Sequence, residues 1–272
     1  MTMEKFKDTI KNILPEAVKD HIRNEKDVIE RLPQDLKAFI DPVRRNTISS
    51  IKKFHHAHKG ERCFVIGNGP SLQNTDMTKL RNEYTFGLNR IYLMFQDLGF
   101  PTSFFVSIND LVIEQSAADI QALDIPKFVS WRSRKWLTPK DDLFFLYTTY
   151  TGPKFAKNAA GRLWEGATVT YVALQLAYYI GFSEVVLIGV DHNFATKGKP
   201  NTTITSEGDD PNHFDPKYFG KGFRWQLPDL ETSEIAYRMA RDAFEADGRK
   251  VVDATVGGKL TIFPKADYNS LF

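Results

Sequence analysis

Apolar positions recur at helical spacing through the first sixty residues, then give way to short apolar runs separated by polar turns. Phe6, Ile10, Ile13 and Leu14 precede Pro15. Val18, Ile22, Ile29 and Leu32 mark one face up to Pro33, and Val43, Ile48, Ile51 and Phe54 mark another after Pro42. This spacing predicts three helices divided by prolines, since the residue before a proline disfavours helical backbone. From Cys63 onward the period changes. RCFVIG (62–67), YTFGL (84–88), SFFVSI (103–108), KFVS (127–130) and LFFLY (143–147) read as strands, with RIYLMFQDLG (90–99) and LVIEQSAADIQAL (111–123) as helices between them. TVTYVALQLAYYIG (168–181) is nearly all apolar and predicts a buried helix. EVVLIGVD (184–191) has the continuous apolar character of a central parallel strand. A helix near 230–247 and a last strand, KVVDAT (250–255), complete the series. Strand–helix alternation of this kind predicts an α/β fold, a Rossmann-like doubly wound parallel sheet with right-handed crossovers.

Two stretches stand outside that alternation. The helical N-terminal segment, 1–60, precedes a domain expected to span 61–272. Within the domain, 192–229 is too long for a passive connection: it begins rich in Gly, Asn and Asp and ends with Phe214, Tyr218, Phe219, Phe223 and Trp225. Loops beyond about 12–15 residues in compact domains are lids, binding loops or disordered insertions, and this one reads as a mobile lid.

Composition sharpens the division. The 272 residues carry 36 Lys+Arg against 34 Asp+Glu, so the net charge of +2 looks uninformative. Residues 1–60 nevertheless hold 13 basic and 9 acidic side chains, a balance of +4, together with His21, His55, His56 and His58. The remainder balances at −2. The basic arm suits an anionic inner-leaflet membrane surface, a partner protein or a second copy of the chain; packing on the sheet domain is the plainer alternative. Mixed signs without a basic aromatic stripe argue against nucleic acid. A single cysteine, Cys63, excludes a disulfide framework and a cysteine zinc site, and reads as core. The charged N-terminus lacks a signal-peptide core and no apolar run is long enough to span a bilayer, so a cytoplasmic location, peripheral at the inner membrane, is expected.

The most informative chemistry follows the first strand. Gly67-Asn68-Gly69-Pro70-Ser71-Leu72 combines glycines that allow a tight turn and close ligand approach with a helix start able to face an anion. It lacks the third glycine of the dinucleotide fingerprint and the Gly-Lys-Ser/Thr of a P-loop. Asn89, with Arg90 after it, ends the second strand, and Asn109-Asp110 ends the third. In an open parallel sheet, ligands bind outside the carboxyl ends of strands, where these asparagines offer both donors and acceptors. Helix capping is the competing role for each of them. There is no HExxH and no strand-end Asp-x-Asp, so no metal centre is expected; Asp209-Asp210 reads as a solvated charge pair, and the histidines at 55, 56 and 58 stand without carboxylates.

GNGPSL, the strands ending in Asn89 and Asn109, and the block GATVTYVALQLAYYIGFSEVVLIGVDHNF together resemble the CMP-sugar-dependent bacterial sialyltransferases of the Campylobacter type. They also resemble a wider group that includes Maf-type flagellin glycosylation proteins and 6-hydroxymethylpterin diphosphokinase-like proteins. The resemblance covers about 61–255. It implies a nucleotide site at Gly67, Asn68, Gly69, Ser71, Asn89, Arg90, Asn109 and Thr168, and a general-base histidine in the lid, for which His213 stands here. Val169 and Gly166 occupy positions where that family carries a hydroxyl and an arginine, groups that suit a sialic acid carboxylate. His213 also suits base catalysis chemically, because imidazole titrates near neutrality. Asp191 and His192, at the end of the strongest strand, are the other catalytic candidates, with capping as the alternative for Asp191. Tyr150, Arg162 and Trp164 are candidates to shape the acceptor side.

The expected function is transfer of a sugar from a nucleotide-activated, CMP-linked donor to a glycan acceptor in surface polysaccharide synthesis, with no cofactor required. The alternatives are ATP-dependent diphosphate transfer to a pterin alcohol, which needs Mg²⁺ and carboxylates such as Asp191 or Asp110, and a non-catalytic nucleotide-binding role in a glycan assembly complex.

Overall fold

The computed structural model describes residues 41–272 throughout, with isolated positions between 18 and 40. The expectations for Phe6, Ile10, Ile13, Leu14 and His21 lie outside the described residues. Val18, Ile22, Ile29 and Leu32 are helical and exposed.

Helix α1 (Pro42–Lys52) starts where Asp41 accepts from the N–H groups of Val43 and Arg44, with proline in its first turn. It does not stand apart as an arm. Ile51 is fully buried, Phe54 meets Phe104, Phe128 and Phe144 edge-on, and Arg44 reaches the backbone oxygens of Phe145 (3.1 Å), Ala160 and Gly161 (both 3.4 Å). For residues 42–60, packing on the sheet is therefore what is found. Arg44→Ala is expected to reduce unfolding free energy by about 1.5–3 kcal/mol in urea titration, because it strips a charged donor from buried carbonyls. An unchanged midpoint would show that α1 is merely laid on the surface.

Strands β1 (Arg62–Ile66), β2 (Tyr84–Leu88), β3 (Phe104–Ser107), β4 (Lys127–Ser130), β5 (Leu143–Thr149), β6 (Arg162–Trp164), β7 (Glu184–Ile188) and β10 (Lys250–Asp253) form one parallel sheet in the order β10-β7-β1-β2-β3-β4-β5-β6. The central pair is in register, Cys63 beside Val185 and Ile66 beside Ile188. Cys63 is fully buried, and burial pushes its thiol pKa up, which fits a core residue. A remaining pair, β8 (Thr203–Thr205) and β9 (Arg224–Gln226), is antiparallel and belongs to the long 192–229 segment.

Helices cover both faces, as a doubly wound sheet requires. On one face lie α4 (Val169–Ile180), whose residues from Thr170 onward are all buried, and α5 (Leu230–Ala246). On the other lie α2 (Asp110–Gln115) and α3 (Ala117–Ala122), which divide at Ser116 what the sequence predicts as one helix. The stretch 90–99 also departs from expectation: Ile91–Met94 is a 3₁₀ turn followed by one α-turn, Phe95–Leu98, stopped at Gly99 with φ +70°.

Because neighbours of β1 lie on opposite sides, β2 on one and β7 on the other, the crevice of the fold opens at the carboxyl ends of β1 and β7. The turns Gly67–Gly69 and Gly189–Asp191 meet there. Gly67 is glycine for a steric reason: a Cβ would lie 2.2 Å from the Gly189 carbonyl oxygen.

Candidate functional site

A cavity of about 440 Å³ opens at this crevice, within the size range of small-ligand pockets. Gly67, Asn68, Gly69, Asn89, Asn109, Thr168, Asp191, His192 and His213 all line it. Ser71 and Arg90 do not. Among the described residues, five non-glycine positions have positive φ, and four of them (Asn89, Ala167, His192 and Asn201) line the cavity. Such backbone is retained against a cost of order 1–3 kcal/mol per residue and clusters at working sites, so the cavity is more than a packing gap.

Several predicted residues prove to hold the walls together. Asp191 draws the β1 and β7 turns onto each other: its carboxylate accepts from the Ser71 N–H (3.1 Å) and the Ser71 hydroxyl (2.6 Å). Gly69 admits this approach, since a Cβ there would lie 1.8 Å from Asp191 Oδ2. Asn109 caps α2, accepting from Leu111 and Val112, and Thr168 caps α4, accepting from Thr170. The Asn89 side-chain Oδ1 accepts from the Ser107 hydroxyl at 3.0 Å. Arg90 is a clasp: its guanidinium bonds the backbone oxygens of Lys217 and Tyr218 and lies over the Phe223 ring. His192 pairs through Nε2 with Glu234 of α5 at 3.1 Å.

Asn68 is different. Its Oδ1 is buried and has no hydrogen-bond partner. An orphaned acceptor on a cavity wall asks for an N–H or O–H from a ligand.

His213 is the most poised ring in the site. Its Nδ1 lies 2.6 Å from Asp210 Oδ2, and it stacks on Tyr218 with centroids 4.0 Å apart and planes 11° from parallel. Asp210 is buried and held by the N–H groups of Asn212 (2.8 Å) and Phe219 (3.1 Å). This corrects the solvated reading of Asp209-Asp210: Asp209 is exposed, whereas Asp210 orients a histidine. A carboxylate on Nδ1 keeps the proton there and leaves Nε2 as an acceptor, the arrangement a general base needs. The Asp-x-x-His spacing was the available signal.

The 192–229 stretch, expected to be a lid, packs down over the cavity in this structure. Phe214, Tyr218, Phe219, Trp225 and Leu227 are buried in the core on the α2 and α3 face of the sheet, and the Phe214 N–H donates to the Asn68 backbone carbonyl at 2.9 Å. It covers the cavity as a wall with its own small sheet.

On the opposite wall the sequence pointed to Asp110 and Tyr150 but gave no sign of Arg132 or Glu165. Arg132, after β4, sits among Asp110 (3.2 Å), Glu165 (2.8 Å), Thr148 (3.1 Å) and the Tyr150 hydroxyl (2.6 Å). Burial raises the Glu165 pKa, an effect that Arg132 and the Thr148 hydrogen bond partly offset. Asp110, Glu165 and Tyr150 line the cavity; Arg162 and Trp164, named with Tyr150 for the acceptor side, do not. Next to Glu165, Gly166 has φ +51°, and a Cβ would lie 2.5 Å from both Ala236 Cβ and Tyr171 Cδ1, so no side chain fits there. His55, His56 and His58 sit elsewhere, at the opposite end of the sheet, with His55 against Tyr179 and His58 stacked on Phe182.

Fold and site define a Rossmann-like α/β protein with a cavity at the switch point of its sheet. Residues 37–197, more than half of the chain, match the family described as "6-hydroxymethylpterin diphosphokinase MptE-like". The chain belongs to that MptE-like family. Among solved structures it is similar to the Maf glycosyltransferase from Magnetospirillum magneticum AMB-1, with 12% identity and a TM-score of 0.52 over 86% of this chain. It spans 40% of that protein's length, and at this identity the likeness is one of fold. No curated protein matches the chain.

Proposed function

We propose that the protein is a glycosyltransferase that takes a sugar from a nucleotide-activated donor. The Asp210–His213 pair on a cavity at the sheet's switch point is the observation that carries this reading. The nucleotide lies against Gly67–Gly69, with a base or ribose donor on Asn68 Oδ1. Its phosphate faces the N-terminus of α4, where Thr168, Val169 and Thr170 line the cavity and backbone N–H groups favour an anion. His213 takes the proton of the acceptor hydroxyl as that oxygen bonds the anomeric carbon. The bond from that carbon to phosphate breaks, and the nucleotide leaves with the electron pair. The Maf glycosyltransferase supports sugar transfer through fold alone.

The family match favours a second reading, diphosphate transfer from ATP to a pterin alcohol, whose chemistry relies on a divalent cation bridging phosphates. Two of the cavity's carboxylates, Asp110 and Glu165, are already paired with the Arg132 cation, and among the described residues no group of three or more His, Cys, Asp or Glu side chains converges as ligands for such an ion. No step is therefore assigned to a metal here.

A thermal-shift panel of CMP, CDP, UDP, GDP and ATP, with and without Mg²⁺, separates the readings. A nucleotide at a hundred times its Kd adds about 2.7 kcal/mol of stability. We expect a metal-independent response to at least one nucleoside mono- or diphosphate; a response to ATP with Mg²⁺ alone would overturn the glycosyltransferase reading.

Among the described residues no helix is long and apolar enough to cross a membrane. We assign the N-terminal segment to docking on an anionic, cytoplasm-facing bilayer that presents the acceptor. Exposed Val18, Ile22, Ile29 and Leu32 supply an apolar stripe for it.

A further inference from the structure

The charges around the cavity are one-sided. Among the described residues, Asp110, Glu165, Asp191 and Asp229 line it, and no lysine or arginine does. The two histidines on its wall are each engaged by an acid, His192 by Glu234 and His213 by Asp210. The guanidinium of Arg132, which contacts the lining residues Asp110, Glu165 and Tyr150, is already used: Nε meets Asp110, Nη1 meets Glu165 and Thr148, and Nη2 meets Tyr150. One cation between two carboxylates leaves this wall one negative charge in excess. Asp191 and Asp229 contribute oxygens whose protein partners are neutral hydroxyl, amide and backbone N–H donors, so their charge is not cancelled.

We propose that this acidic wall selects the transferred group: the donor sugar carries no carboxylate and presents hydroxyl or amino donors to Glu165 and Asp110. The inference rests on the nucleotide-sugar reading above and goes beyond it by naming the class of sugar. The physical reason is asymmetric. A hydroxyl or ammonium group at the wall gains an anionic acceptor, whereas a carboxylate is stripped of water against like charge with no cation to replace that water. Discrimination by such repulsion is how sites reject near-isosteric competitors. Glu165 is 5% exposed, so bulk salt screens it poorly.

UDP-glucose and UDP-glucuronate test this directly, because they share the nucleotide and differ only in a hydroxymethyl group against a carboxylate at C6. UDP-glucosamine and CMP-N-acetylneuraminate extend the comparison, each referred to its own free nucleotide. The full chain is titrated with each by isothermal calorimetry. The expected result is that glucose and glucosamine conjugates bind at least about tenfold tighter than the glucuronate, a difference of about 1.4 kcal/mol. CMP-N-acetylneuraminate is expected to bind no tighter than CMP. In Glu165→Gln and Asp110→Asn proteins the glucose-to-glucuronate ratio should fall below about threefold, with free UDP affinity unchanged; the second variant serves if the buried Glu165 change prevents folding. Glucuronate or N-acetylneuraminate conjugates binding as tightly as the glucose conjugate would overturn the inference while leaving the nucleotide-sugar reading intact. Failure of every nucleotide to bind would overturn the nucleotide-sugar reading and this inference with it.

Discussion

Replacing His213 by alanine is expected to lower sugar transfer by about 10²- to 10⁴-fold while leaving nucleotide affinity within about twofold. The split follows from geometry. His213 sits on the covering wall, not on the Gly67–Gly69 turn or the α4 N-terminus where the nucleotide is proposed to lie. Its pairing with Asp210 fixes one ring nitrogen and frees the other. Asp210→Asn should then reduce turnover by about 10- to 100-fold, because an amide holds the ring but no longer favours the proton on Nδ1. Asp210 also accepts from Asn212 and Phe219, so the asparagine, which keeps an oxygen, is a better probe than alanine. Single-turnover assays with saturating donor read both effects. A His213→Ala protein with full activity would remove the base from this ring.

The largest effect on stability is expected at Gly67. Gly67→Ala puts a methyl group 2.2 Å from the Gly189 oxygen and 2.7 Å from its carbonyl carbon. Neither strand can yield, because Gly67 N donates to Ile188 O at 2.8 Å and Gly69 N donates to Gly189 O at 2.9 Å. Overpacking of side chains costs about 1–3 kcal/mol; here the obstacle is backbone, and about 3 kcal/mol or more is expected in urea unfolding, or failure to accumulate as folded protein. Gly208→Ala is the control, since a Cβ there meets nothing within 4 Å, and it should stay within about 0.5 kcal/mol of the parent. A wild-type midpoint for Gly67→Ala would mean the two turns are less closely apposed than described.

The sheet's strands were legible where apolar residues ran unbroken. EVVLIGVD yields β7 and RCFVIG yields β1, because a strand buried on both faces needs apolar residues at every position. The helix read near 230–247 is α5, Leu230–Ala246, whose start is set by Asp229 accepting from Thr232. β6 escaped because three residues, Arg-Leu-Trp, carry no alternation; only pairing with Tyr147–Thr149 makes them a strand. Ser116 broke a helix that periodicity alone could not divide. In the site, residue types pointed to the cavity at the strand ends but not to the contacts these residues make. Asn109 and Thr168 line the cavity while capping helices, and Arg90 clasps the covering segment, since a cation beside a strand end looks the same in sequence whether it meets a phosphate or a carbonyl. Asp210 was read as solvated because a pair of acids in a polar loop normally is. Its burial comes from Phe214, Tyr218 and Phe219, whose folding back no local pattern announces.

The contacts of Arg44 also set a timetable. They join α1 to carbonyls 101, 116 and 117 residues further along. A ribosome adding about 5–20 residues per second takes about 5–20 s to deliver the first of them. For that interval Ile51 and Phe54, later sealed against the sheet, travel uncovered on the nascent chain. The central strand β1 waits longer still for β7, so the cavity between their ends is among the last parts of the molecule to exist.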